Sequence, residues 1–208
     1  MAPIRIGILG LPAAGGWANV AHLPYLRQTS KYKIVAIANS SVASAQAAIS
    51  ALSLDPTTKA YDSPEDIAAD PDVDLLVCSV NVSKHLSLIK PALEKGKMAY
   101  VEWPLGKNLE EAEELTALAQ LRGAKTVIGL QGRLSPLVQT VRRLVKGGSI
   151  GRVLSSSFMA DVGREPGASV PLRYKYFSDS SYGGNLVTIY FGHSMVYHSP
   201  CKLLAPCR

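Results

Sequence analysis

Cysteine is scarce in this chain. Cys78, Cys201 and Cys207 are the only three in 208 residues. None stands at the spacing of a metal-ligand pair, so no metal site is expected. Cys78 lies in an apolar run and reads as a small core residue. A reduced, cytoplasmic compartment is the expectation for so few thiols. Long apolar runs are missing too. The stretch "MAPIRIGILG" is short, carries Arg5 inside it and leads straight into the next motif, so neither a signal peptide nor a membrane span is expected. There is no low-complexity tract, internal repeat or block of like charge. The net charge of +6 is spread along the chain, so direct nucleic-acid binding is not expected and anionic small molecules fit better.

What the chain does have is an ordinary globular composition, 47% hydrophobic and 18% charged, and a regular alternation of patterns. Strand-like apolar runs occur at 4–10, 32–39, 73–80, 97–103 and 125–131. Helical patterns separate them at 17–28, 41–52, 63–70, 83–96 and 109–123. Pro24 must bend or end the first helix. Ser41 and Ser63 are placed as N-caps, and Gly96 as a left-handed C-cap. Strands alternating with helices of this length predict βαβ units, and strands apolar throughout predict a parallel sheet covered on both faces. The fold class expected is α/β, a Rossmann-type doubly wound parallel sheet. The rhythm changes after Gln131, which sets the expected domains at 1–131 and 132–208. Beyond it come an amphipathic helix (133–148), a half-buried strand (151–163), a Gly, Pro, Ser and Tyr-rich loop (163–183) and a segment at 185–198 that reads as helix or strand.

The first strand runs into "GLPAAGGWANVAH" (10–22). A glycine-rich turn between the first strand and helix of such a sheet is where a dinucleotide pyrophosphate docks. Gly10 and Gly15 take the outer glycine places of G-x-G-x-x-G, while Pro12 stands at the middle one; Gly16 and Trp17 follow at the helix start. The second strand ends at Asn39-Ser40, where a carboxylate would hold the ribose hydroxyl of NAD. Their lack of charge leans the cofactor choice, NADP or NAD, towards NADP. The alternative is that the serines only cap the next helix.

The glycine-rich turn with "AHLP" (21–24), "VDLLVCSVNVSKH" (73–85), "ALEKGKMAYVEWPLGKN" (92–108) and "GGNLVTIYFGH" (183–193) together resemble the glucose–fructose oxidoreductase/inositol dehydrogenase (Gfo/Idh/MocA) family of nicotinamide-dependent enzymes. "GLPAAGGWA" and "VEWPLGKN" are most similar to the fungal branch that includes the galactose-pathway repressor, which keeps the enzyme fold, binds NADP and regulates transcription without known catalysis. The resemblance implies an NAD(P)-dependent oxidoreductase acting on a sugar, polyol or secondary metabolite. The alternatives are a non-catalytic NADP-binding regulator, nuclear and with a protein partner, or a degenerate remnant.

The family's usual Glu-Lys-Pro, whose lysine helps move the reacting proton, is here Glu102-Trp103-Pro104. An indole does not titrate, but it stacks on planar rings or walls a pocket. The resemblance also implies a cis peptide at Pro104, with Glu102, Trp103 and Pro104 shaping the cofactor pocket. By position Ser79, Asn81 and His85 would border the nicotinamide. Lys107 is a weak candidate to replace the lysine. His193 is implied as a proton shuttle and Tyr182, near Tyr174 and Tyr176, as a hydrogen-bond donor.

The second domain reads as truncated α/β. The text "SPCKLLAPCR" after residue 198 departs from the family. In relatives this domain closes the substrate site and builds the dimer, so a homo-oligomer is left open. A lone remaining strand would expose an edge and an apolar face. Self-association in light scattering is the expected outcome; a monodisperse monomer at high concentration would count against it.

Overall fold

The computed structural model describes residues 2–157, 159, 176–185 and 187–195. It divides into two compact units, Met1–Ile128 and Gly129–Arg208.

The first unit is built on a six-stranded sheet in the order β3-β2-β1-β4-β5-β6. The strands are β1 (Ile4–Leu9), β2 (Tyr32–Ala38), β3 (Lys59–Tyr61), β4 (Leu75–Cys78), β5 (Met98–Glu102) and β6 (Thr126–Gly129). β1 pairs in parallel with β2 and β4, and β2–β3 and β4–β5 are parallel too. This is the doubly wound Rossmann order, whose strand sequence reverses between β1 and β4. The helices are α1 (Trp17–Ala21), α2 (Leu23–Gln28), α3 (Val42–Ala51), α4 (Pro64–Ala69), α5 (His85–Glu94) and α6 (Leu109–Arg122).

Alternation along each strand sends side chains to opposite faces. Ile6 and Ile8 of β1 join Ile37, Val77, Ala18 and Ala45 in one buried cluster. Leu9 joins Leu76, Cys78, Ile67, Ile89, Leu93 and Leu115 in the other. Two covered faces are the physical reason that these strands are apolar without alternation.

The expected first helix is in fact two. It breaks at His22, and Pro24 sits in the first turn of α2, where its missing N–H costs nothing. β3 has only three residues, too short for a periodic signal, and exists through its pairing with β2. Ser41 caps α3 with a reciprocal bond from Ser44, Ser63 caps α4 and Asn108 caps α6.

In the second unit a 3-10 turn (Gln131–Leu134) precedes α7 (Pro136–Lys146), which Ser135 caps. Val138 and Val145 are buried. The strand expected over 151–163 is absent from the described residues there: 151–157 form no strand, and Leu154 and Met159 are exposed. A strand needs a ladder partner, and the described residues supply none. Of the segment read as helix or strand (185–198), the described residues 187–195 are helical. The Asn185 carboxamide accepts from the N–H groups of Val187 and Thr188 and starts a π-helical stretch, Val187–Phe191. Tyr174, Cys201, Cys207 and the tail after residue 198 lie outside the described residues. Among the described residues, no helix is long and apolar enough to cross a membrane.

Candidate dinucleotide site

The C-terminal ends of β1, β2, β3 and β4 enclose a cavity of about 580 Å³. Its walls include Gly10, Pro12, Gly16, Trp17, Asn39, Ser40 and Ser79, seven of the residues singled out in the sequence.

Gly10 has φ 89°, and a Cβ there would lie 2.9 Å from the backbone oxygen of Ser79. It is where the end of β1 abuts the end of β4. Its N–H donates to the Ala38 carbonyl at 3.0 Å, so one glycine joins three strand ends. Pro12 fills the place of the usual middle glycine, and Gly16 accommodates it: a Cβ at Gly16 would meet the Pro12 ring at 2.8 Å. Asn19, which sequence reasoning passed over, braces this turn by donating to the carbonyls of Pro12 and Gly15. An amide-bearing residue early in a helix is the signal that could have found it, because such side chains bond to nearby backbone.

Asn39 lines the cavity, and its side chain is bonded to the glycine-rich turn and α3. Its Oδ1 accepts from Leu11 N at 3.0 Å, and its Nδ2 donates to the carbonyls of Leu11 at 2.9 Å and Ser44 at 3.3 Å. A carboxylate could not make the last two bonds, because it has no donor. Asparagine at this strand end is therefore tied to bracing the glycine-rich turn.

Ser79 carries the test of whether a cofactor fits. Its Oγ is buried with no hydrogen-bond partner, in a residue that lines the cavity. Buried hydroxyls are normally paired, so an orphaned one beside the cavity is what a missing polar partner would leave. The positive-φ turn, the concave wall and this unpaired hydroxyl fit a dinucleotide. α1 is only five residues long, so the dipole attraction expected of a long first helix is reduced to its first turn.

The other expected residues lie outside the cavity lining. Gly15 (φ 67°) has open space around its missing Cβ. Asn81 spends its Oδ1 on the Ser83 N–H and hydroxyl, at 3.1 and 3.0 Å, and caps a 3-10 turn. His85 is 1% exposed, with Nδ1 2.9 Å from Pro104 O and Nε2 3.1 Å from Val80 O. Burial holds its pKa below the ordinary histidine value, against the two carbonyls. A neutral ring donates through one nitrogen, which we assign to the shorter Nδ1–H contact. His85 thus pins the Trp103–Pro104 turn to the end of β4.

That turn has a cis Trp103–Pro104 peptide. Glu102 is buried, and its Oε1 lies 2.6 Å from Nε2 of His22, whose ring stands edge-on to Tyr100. Trp103 is half-buried. Lys107 is paired with Glu111 at 2.9 Å, one helical turn on, so its ammonium does not stand in for the missing lysine. Burial pushes the Cys78 thiol up to about 12, which leaves it inert. Among the described residues, no group of three or more His, Cys, Asp or Glu is placed to hold a metal. In the second unit Tyr182 ends a 3-10 turn capped by Asp179, and His193 follows the π-helical stretch half-buried.

The family model described as oxidoreductase family, NAD-binding Rossmann fold (Gfo/Idh/MocA), matches residues 4–130. The chain belongs to this family. A second model, the Gal80p C-terminal domain, matches residues 136–198 of this Gfo/Idh/MocA protein. A dehydrogenase of Aspergillus oryzae, aclE, is 39% identical over 194 residues, which are 91% of this chain and 52% of that protein. The galactose/lactose metabolism regulatory protein GAL80 of Saccharomyces cerevisiae is 35% identical over 93% of this chain and 46% of its own length. The crystal structure of a super-repressor mutant of Gal80p from the same yeast superposes with a TM-score of 0.81 at 30% identity, over 96% of this chain and 53% of that one. The chain thus spans about half the length of the curated relatives it matches. As a family member it carries an NAD(P)-binding Rossmann fold.

Proposed function

We propose that this Gfo/Idh/MocA protein binds NAD(P) in the cavity at the ends of β1 to β4 and acts as a cofactor-dependent regulator through a protein partner. The observation that carries the regulatory half is the tryptophan at the end of β5. Where the family places a proton-transferring lysine, Trp103 has no titratable group. The neighbouring candidates are engaged: Glu102 by His22, His85 by the Pro104 carbonyl, Lys107 by Glu111. An indole beside a nicotinamide supplies stacking surface and no proton path. The similarity to the regulatory protein GAL80 supports the same reading.

A second reading is a dehydrogenase acting on a sugar, polyol or secondary metabolite, with His193 or Tyr182 as proton carrier. The 39% identity to the Aspergillus oryzae dehydrogenase favours it.

The two readings share a cofactor and differ in turnover. The protein has two tryptophans, Trp17 in the cavity wall and Trp103 at the β5 end, so titration with NADH or NADPH is read by their fluorescence and by energy transfer to the reduced nicotinamide. Saturable binding is expected, with no cofactor reduction over a panel of sugars and polyols. Trp103→Lys tests the strand end: gained dehydrogenase turnover would show that the rest of the geometry is kept. Wild-type turnover abolished by His193→Ala or Tyr182→Phe would establish the enzyme reading instead.

A further inference from the structure

Asp62 stands immediately after β3 and lines the same cavity. The pairing of β2 with β3 sets Ala38 opposite Tyr61, and Asn39 N donates to the Tyr61 carbonyl at 3.1 Å. Asp62 is therefore the neighbour of the Asn39–Ser40 strand end, one strand over. Its carboxylate is exposed and has no hydrogen bond or ion pair among the described residues. Asp55, Asp70, Asp72 and Asp74 of this unit have their carboxylates paired with lysine or arginine; Asp66, like Asp62, has no ion pair, but it does not line the cavity.

In a doubly wound dinucleotide site, a carboxylate at the end of β2 accepts from the ribose hydroxyls of NAD and repels the 2′-phosphate of NADP. Here that position is Asn39, and its carboxamide is committed to Leu11 and Ser44. We infer that Asp62 supplies the missing carboxylate from β3, so that the cavity takes a dinucleotide with a free ribose 2′-hydroxyl in preference to one with a 2′-phosphate. The inference rests on the cofactor-binding reading and adds the selection to it. It reverses the lean towards NADP drawn from the uncharged end of β2, because that lean took no account of the adjacent strand. Lys84 is the cation in the cavity wall. It comes from the turn after β4, across the cavity from the β2–β3 edge, so the negative charge is the nearer one to a ribose held at Asn39–Ser40.

The test compares NADH and NADPH titrations of the wild-type chain with those of Asp62→Asn, read by tryptophan fluorescence, with circular dichroism to establish that both are folded. Asp62 is exposed, so the substitution leaves the core untouched. The wild type is expected to bind NADH more tightly. Asp62→Asn is expected to weaken NADH and strengthen NADPH, changing the ratio of the two dissociation constants by about tenfold. A wild-type preference for NADPH, or a ratio altered by less than about threefold in the variant, overturns the role given to Asp62 while leaving cofactor binding intact. Binding of neither dinucleotide by the folded wild type overturns the cofactor reading, and this selection with it.

Discussion

Gly10→Ala is expected to destabilise the N-terminal unit by about 2–4 kcal/mol and to weaken NADH binding by at least about tenfold. Two effects add. The backbone at Gly10 has φ 89°, a conformation that costs an L side chain of the order of 1–2 kcal/mol. The new methyl would also lie 2.9 Å from Ser79 O and 2.3 Å from a Val80 methyl. The Val80 side chain can turn aside, but the Ser79 carbonyl belongs to the backbone, and Ser79 N is itself tied to Leu9 O at 3.0 Å. The ends of β1 and β4 must therefore part, which shifts Ser79 and Val80 in the cavity wall. Gly15→Ala is the matched control. Its φ is 67°, and nothing lies within 4 Å of the added methyl, so only the conformational cost applies. Urea denaturation and cofactor titration of both variants check the contrast. Equal effects at the two positions would show that the strand-end contact at Gly10 is unimportant.

Asp70→Ala is expected to cost about 2–4 kcal/mol, at the opposite end of the sheet and without a direct effect on the cavity. Asp70 is 5% exposed. It accepts from Lys59 Nζ at 3.0 Å on each oxygen, from the Tyr61 hydroxyl at 2.9 Å and from Asp72 N at 2.9 Å. Its backbone oxygen accepts from Lys97 Nζ at 2.7 Å. Removing the carboxylate strands the Tyr61 hydroxyl, but Lys59 is half-exposed and regains water, which keeps the cost towards the lower end of that range.

The same network sets an acid limit. Burial by itself raises the Asp70 carboxyl, yet the Asp72 N–H, Lys59 and Tyr61 outweigh it and leave the carboxyl below its ordinary value of 3.8. Asp74 is also lowered, chiefly by its hydrogen bond with Arg5. A carboxyl depressed on folding contributes stability that is fully present above its unfolded value and is lost as pH falls through the folded one. Stability should therefore decline below about pH 4 in the wild type, more shallowly in Asp70→Ala. Denaturant midpoints measured from pH 6 to pH 2.5 test this; parallel curves would remove Asp70 from the account.

The sheet was legible in the sequence because both its faces are covered. Runs such as "IRIGILG" and "VDLLVCSV" can be apolar throughout only between two helical layers, and their spacing requires crossover helices. The caps at Ser41 and Ser63 were equally local, since a cap bonds its own next turn. That Gly10, Gly16 and Ser79 would come together at one edge was likewise legible, because strand ends in such a sheet all point the same way.

What the tertiary structure decided is how the polar side chains at that edge are spent. Asn39 faces back into the glycine-rich turn, Asn81 caps its own turn, and His85 is buried between two carbonyls. Each of these partnerships spans a loop or joins two strand ends, so no sequence spacing announces it. β3 was invisible for the same reason. Three residues become a strand only when β2 is already there to pair with them, and only that pairing sets Asp62 beside Asn39.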